Sequence, residues 1–87
     1  MKGFIEEEMD QLVQWFSRVY PQHKMTVHYK WKTPEHHYYI EINHVDKGTH
    51  IMPLVVPDAW FNDPEMEGLL RQKALSRLQA KTMEFCQ

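Results

Sequence analysis

The chain has 87 residues, and its 10 Lys and Arg against 12 Asp and Glu leave a formal net charge of −2 with histidine neutral. That length supports one domain, able to bury only about 60–65% of its unfolded surface, so three Trp, four Tyr and four Phe matter to the core because each buried ring removes about 150–250 Å² from water. A nearly balanced charge argues against a protein that works by coating nucleic acid or anionic membrane, and a single cysteine, Cys86, cannot build an internal disulfide framework.

From Phe4 to Tyr20, Ile5, Met9, Leu12, Phe16 and Val19 recur at three- and four-residue steps and predict one stripe of a helix. Phe4 and Trp15 flank the stripe and are expected to seal its edge. Glu6, Glu7 and Glu8 favour the helix start, Arg18 favours its end, and Pro21 stops it. These acids and Asp10 stand where a signal peptide would need a long apolar run. With no run of about 20 apolar residues to span a membrane, the expectation is a soluble cytoplasmic chain.

Met25 to Val56 then reads as three strands joined by two tight hairpins. Val27, Tyr29 and Trp31 alternate with polar residues, as do Tyr38, Ile40 and Ile42, the period of half-buried antiparallel strands. A four-residue Thr33-Pro34-Glu35-His36 loop places Lys32 opposite His37, Trp31 opposite Tyr38, Tyr29 opposite Ile40 and Val27 opposite Ile42. All the large apolar side chains then share one face. In the second hairpin, Asp46-Lys47-Gly48 fits a type I turn with Gly48 left-handed. It pairs Val45 with Thr49 and puts His50, Met52, Leu54 and Val56 on the core face. Pro53 has no N–H and confines the third strand to an edge.

Pro57 to Asn62 is a connector in which Asp58 caps a short turn bearing Trp60 and Phe61. Asp63-Pro64-Glu65 is a helix start, and the second helix is expected to run to about Glu84. Its Leu70, Ala74, Leu78 and Phe85 fall on one side, with Leu75 and Thr82 at the margin. The predicted fold is α+β, an αβββα arrangement over residues 1–87, with a three-stranded antiparallel meander and two helices packed on one face.

Catalytic chemistry is hard to assemble from these residues. Ser17 and Ser76 lie on helices outside any nucleophile elbow, and Cys86 sits beside the C-terminus, poorly placed for a reactive thiolate. His28 and Glu41 fall side by side on the outer sheet face, a general-base pair in form and an ordinary cross-strand charge pair in its simplest reading. Six histidines invite a metal, yet no zinc spacing is present. His44 and His50, beside the second turn, are the better pair, with closure of the core's end as the plainer role. No catalytic residue, metal or cofactor is expected.

The basic residues Lys73, Arg77 and Lys81 recur every four positions on the second helix, and Lys32 adds charge near the sheet. Together with Pro34-Glu35-His36 in the first hairpin loop, the αβββα order resembles the double-stranded-RNA-binding domain. That family's Gly-Pro-x-His loop enters the RNA minor groove. The resemblance implies an RNA contact from His36 at that loop position. The basic stripe reads on its own residues as a solvated helix face or as a strip that contacts phosphate or an acidic partner. The alternative expectation is a nucleic-acid-binding module that uses Lys32, His36, Lys73, Arg77 and Lys81. Thr33 replaces the loop glycine, Asp63-Pro64-Glu65-Met66-Glu67 replaces a lysine-rich helix start, and the connector is longer.

The outer sheet face carries His28, Lys30, Tyr39, Glu41, Asn43, Ile51 and Val55, more apolar surface than solvation requires. The leading expectation is a small non-enzymatic protein that binds a protein partner, as regulator, inhibitor or assembly factor, with a homodimer as one form. Tyr39, Ile51 and Val55 would anchor the contact, Lys30 and Glu41 would rim it, and Trp60 or Phe61 would add a hot spot.

Overall fold

In the computed structural model, which describes residues 3–87, the chain runs α1 (Phe4–Val19), β1 (Lys24–Lys32), β2 (Glu35–His44), β3 (Gly48–Pro57), a 3₁₀ turn (Asp58–Asn62) and α2 (Pro64–Cys86). The sheet is antiparallel in the order β1-β2-β3. Both helices pack on one of its faces, around Met25, Tyr38, Ile40, Ile42, Met52 and Val56, so the expected αβββα fold is the one adopted.

At the start of α1 the Gly3 N–H donates to the Glu6 carboxylate at 3.1 Å, which satisfies a donor the helix leaves unpaired. Ile5, Met9, Leu12 and Phe16 are buried, as the periodicity requires, and Phe4 joins them. Val19 does not; it is the last helical residue and stays exposed. Tyr20 takes the place beside Phe16, with ring centroids 5.4 Å apart.

Both hairpins pair two residues away from the predicted register. Trp31 lies opposite His36, Tyr29 opposite Tyr38, and Val27 opposite Ile40. The first loop is only Thr33-Pro34, with a cis peptide bond between them, so Glu35 and His36 belong to β2 and not to a loop. In the second hairpin His44, not Val45, closes the pairing, opposite Gly48. His44 Nδ1 accepts the Asp46 and Lys47 N–H groups at 3.0 Å each, which makes a tight turn ahead of Gly48 at φ +83°. Because each slip is an even number of residues, every side chain keeps its predicted face. Tyr29 and Trp31 keep the core face yet remain about half exposed, because β1 is an edge strand.

The 3₁₀ turn is tied to the first hairpin by the Asp58 N–H donating to the Pro34 carbonyl at 2.9 Å. Asp63 caps α2, its Oδ1 accepting from the Glu65 N–H at 3.0 Å and the Met66 N–H at 3.4 Å. At the other end Lys47 donates to the Phe85 carbonyl at 2.6 Å and to that of Gln87, a cation on the helix's unpaired acceptors. α2 continues to Cys86, two residues beyond the predicted end. Of its side chains, only Leu78 and Thr82 are buried. Arg71 reaches across to α1, 3.3 Å from Glu8 and 3.5 Å from Glu7, and also pairs with Glu67 at 3.1 Å. Among the described residues, no helix is long and apolar enough to cross a membrane.

Candidate protein-binding surfaces

The open face of the sheet is built by strand alternation in rows that run across it. One row is Lys30, His37 and Val55; the next is His28, Tyr39 and Pro53; the third is Thr26, Glu41 and Ile51. Lys30, Tyr39, Glu41, Ile51 and Val55, singled out from the sequence, therefore share one surface. Tyr39 is half-buried at its centre, while Ile51 and Val55 are 52% and 41% exposed. His37 and Pro53 belong to this face as well. Strand parity alone would have found them.

Polar side chains on the same face are engaged with one another. His37 lies 3.4 Å from Glu35 and stacks beside Tyr39. Glu41 accepts from Asn43 at 3.0 Å and stands 3.8 Å from His28. In the actual register His28 faces Tyr39 rather than Glu41, so the pair is diagonal. Its side chains are 52% and 29% exposed, so the pair stands open to water.

Trp60 and Phe61 are not on this face. Phe61 packs on Phe4 and on the His36 ring, at 5.4 and 4.2 Å between centroids. Trp60 instead faces a groove between β3 and α2 of about 340 Å³, lined also by Pro53, Leu54, Leu69, Leu70 and Ala74. Lys73, Arg77 and Lys81 line the same groove. One residue expected to bind protein and three expected to bind nucleic acid thus meet at a single site.

Lys32 and His36 do not join them. Lys32 is exposed at the first hairpin, opposite Glu35. His36, expected in the loop, is held inside a small network. Its Nδ1 lies 2.7 Å from the Tyr29 hydroxyl and its Nε2 lies 2.8 Å from Asp58 Oδ1. Trp31 packs against the ring at 4.5 Å and Phe61 at 4.2 Å. The neutral tautomer with hydrogen on Nε2 satisfies both bonds: the tyrosine donates to Nδ1, and Nε2–H donates to the carboxylate. No local pattern marks this network, because Asp58 lies 22 positions from His36. Its evident work is to clamp the 3₁₀ turn to the first hairpin.

The histidines near the second turn are likewise occupied. His44 stacks on His23 at 3.9 Å and meets the edge of Phe85, while His50 stacks on Phe85 at 4.7 Å. His50 pairs with Ile42, not His44. Neighbouring groups strip water from His44 and hold its pKa below the ordinary value, and the nearby His23 and Lys47 act in the same direction. His23 and His44 are half-buried, whereas His50 is exposed. The half-buried Cys86 thiol is pushed up by burial, which Lys47 partly opposes, a direction that disfavours the thiolate.

Lys30, Tyr39, Glu41, Ile51 and Val55 thus gather on the open sheet face, and Trp60, Lys73, Arg77 and Lys81 at the groove beside it. Compared with known proteins, the chain matches no family model, no curated protein and no solved structure.

Proposed function

We propose that the protein acts by binding another protein through its open sheet face, as a regulator, inhibitor or assembly factor, rather than by catalysis. The observation that carries this reading is the composition of β3. Met52, Leu54 and Val56 point to the core, while Ile51, Pro53 and Val55 point the other way. A continuous apolar run is the pattern of a strand buried on both faces, whereas a half-solvated antiparallel strand alternates with polar residues. Here the outer side is bare, on an edge strand, beside Tyr39 at the sheet's centre. Lys30 and Glu41 supply charges of both signs around that apolar strip, a rim that suits a partner of mixed charge or a second copy of the chain.

Strand addition at the edge is a poorer way to use β3. A proline within a paired strand must turn its missing N–H outward, so Pro53 interrupts the row of donors that an added strand would need. Contact through side chains of the face is the better fit.

The test is association of Tyr39→Asp and Val55→Asp variants, measured as solution mass against concentration and as recovery of partners from the native host. Both variants should keep the wild-type circular dichroism and lose association. Unchanged association in both would mean that another surface is used. The nucleic-acid reading retains only Lys73, Arg77 and Lys81 as a continuous set, and predicts binding to duplex RNA that falls steeply with salt.

A further inference from the structure

We propose that the groove between β3 and α2 is a second docking site, which meets the open sheet face only at Pro53, and that it receives an acidic amphipathic helix of a partner protein. The starting point is α2, which has more apolar surface than the core uses. Leu78 and Thr82 face inward and are buried. Met66, Leu69, Leu70 and Ala74 turn toward the groove, where Pro53, Leu54 and Trp60 form the opposite wall. Leu69 is 41% exposed there. The lining residues of α2 recur at three- and four-residue steps from Met66 to Lys81, a length of about 22 Å at 1.5 Å per residue. That is the length of about four turns of a second helix laid alongside.

Charge decides what kind of helix. Lys73, Arg77 and Lys81 stand one turn apart along the groove, about 6 Å per step. No acidic residue interrupts α2 between Gly68 and Met83. Arg71, by contrast, faces α1 and is held by Glu7, Glu8 and Glu67. Among the described residues, no carboxylate pairs with the three groove cations, although the chain as a whole is net negative. The rim is therefore a local positive strip beside an apolar floor.

Three cations in a row call for a ligand whose negative charges repeat at the same interval. An amphiphile with one head group would answer only one of them. A nucleic acid has repeating charge, but the groove's walls are mainly aliphatic and offer Trp60 as their one aromatic ring, where single-stranded bases need stacking platforms. A second copy of this chain does not fit either. Its acidic segment, Glu6 to Asp10, lies on α1, whose apolar stripe is already buried in its own core. A helix with Leu-type residues on one stripe and Glu or Asp every turn along its flank matches both the floor and the rim.

The experiment uses the full chain and a fluorescent helical peptide of about 18 residues, with leucines at i, i+3, i+4 and i+7 and glutamates flanking them. A twin peptide carries lysine for glutamate, and a third is a scramble. Anisotropy in about 50 mM salt, where surface charges are weakly screened, should show binding of the acidic amphipathic peptide alone. Arg77→Glu and Leu69→Asp should each weaken it about tenfold or more. The triple variant K73E/R77E/K81E should reverse the preference toward the lysine peptide, a gain that misfolding cannot produce. Tyr39→Asp and Val55→Asp should bind the acidic peptide like the wild type, so failure of the open-face reading is distinguishable from failure here. No binding of the acidic peptide, equal binding of the scramble, or indifference to Arg77→Glu would overturn the proposal. Tighter binding of duplex RNA or phosphatidylglycerol vesicles than of the peptide would overturn it too and assign the rim to phosphate.

Discussion

Tyr38 brings a hydroxyl onto the core face of β2, where the residue is only 3% exposed. Burial pushes its pKa from about 10 up to about 12, and the nearby Glu6 and Tyr29 add to the rise. The neutral phenol is thus favoured in the folded state. Between pH of about 10 and about 12 the unfolded chain has lost this proton while the folded chain keeps it, so Tyr38 contributes stability below about 10 that is lost as pH rises through its folded value. Absorbance at 295 nm should show one of the four tyrosines ionising late, and Tyr38→Phe should remove that late step. A tyrosinate titration complete by pH about 11 in the wild type would contradict the burial argument. Alternation alone placed this side chain inward. His36, two positions earlier, lies in the strand, although the proline-bearing tetrapeptide has the composition of a full loop. Two of its four residues are strand, and the partner that fixes the ring, Asp58, is remote in sequence.

Among the elements, the start of α2 was the most legible. A carboxylate, a proline at the first helical position and acid in the first turn specify a helix N-terminus from local chemistry alone, and Asp63 accepts from two backbone N–H groups as expected. Asp63→Ala should cost about 1 kcal/mol, read as a lower urea midpoint with the slope unchanged. Loss of less than a few tenths would mean that water serves the helix end equally well. The strands were legible by face but not by pairing. Alternation fixes which side chains point inward, whereas register depends on where each turn closes, and there a His44 side chain holding two turn amides decided the outcome. The inner stripe of α2 was only partly readable. Apolar residues cover two sides of that helix, and periodicity cannot say which side meets the core and which meets a groove.

For the whole molecule, the distribution of burial sets an order of stability. β2 is paired on both sides and contributes Tyr38, Ile40 and Ile42 to the core. α2, with 23 residues, buries only two side chains, while Leu70, Leu75, Phe85 and Cys86 pack against the core partly buried. Regions with few buried apolar contacts open below the free energy of global unfolding. Native-state hydrogen exchange should therefore show the Leu69 to Ala74 amides of α2 exchanging at least about tenfold faster than those of Tyr38 to Ile42, a gap of about 1.4 kcal/mol or more in opening free energy. The acidic amphipathic peptide should slow exchange in this part of α2 and leave β2 unchanged, because a groove filled along Leu69, Leu70 and Ala74 supplies the burial that the isolated chain lacks. If the α2 amides are already as protected as those of β2 in the free protein, the helix does not depend on a partner for its stability, and the exposed leucines along it need a different explanation.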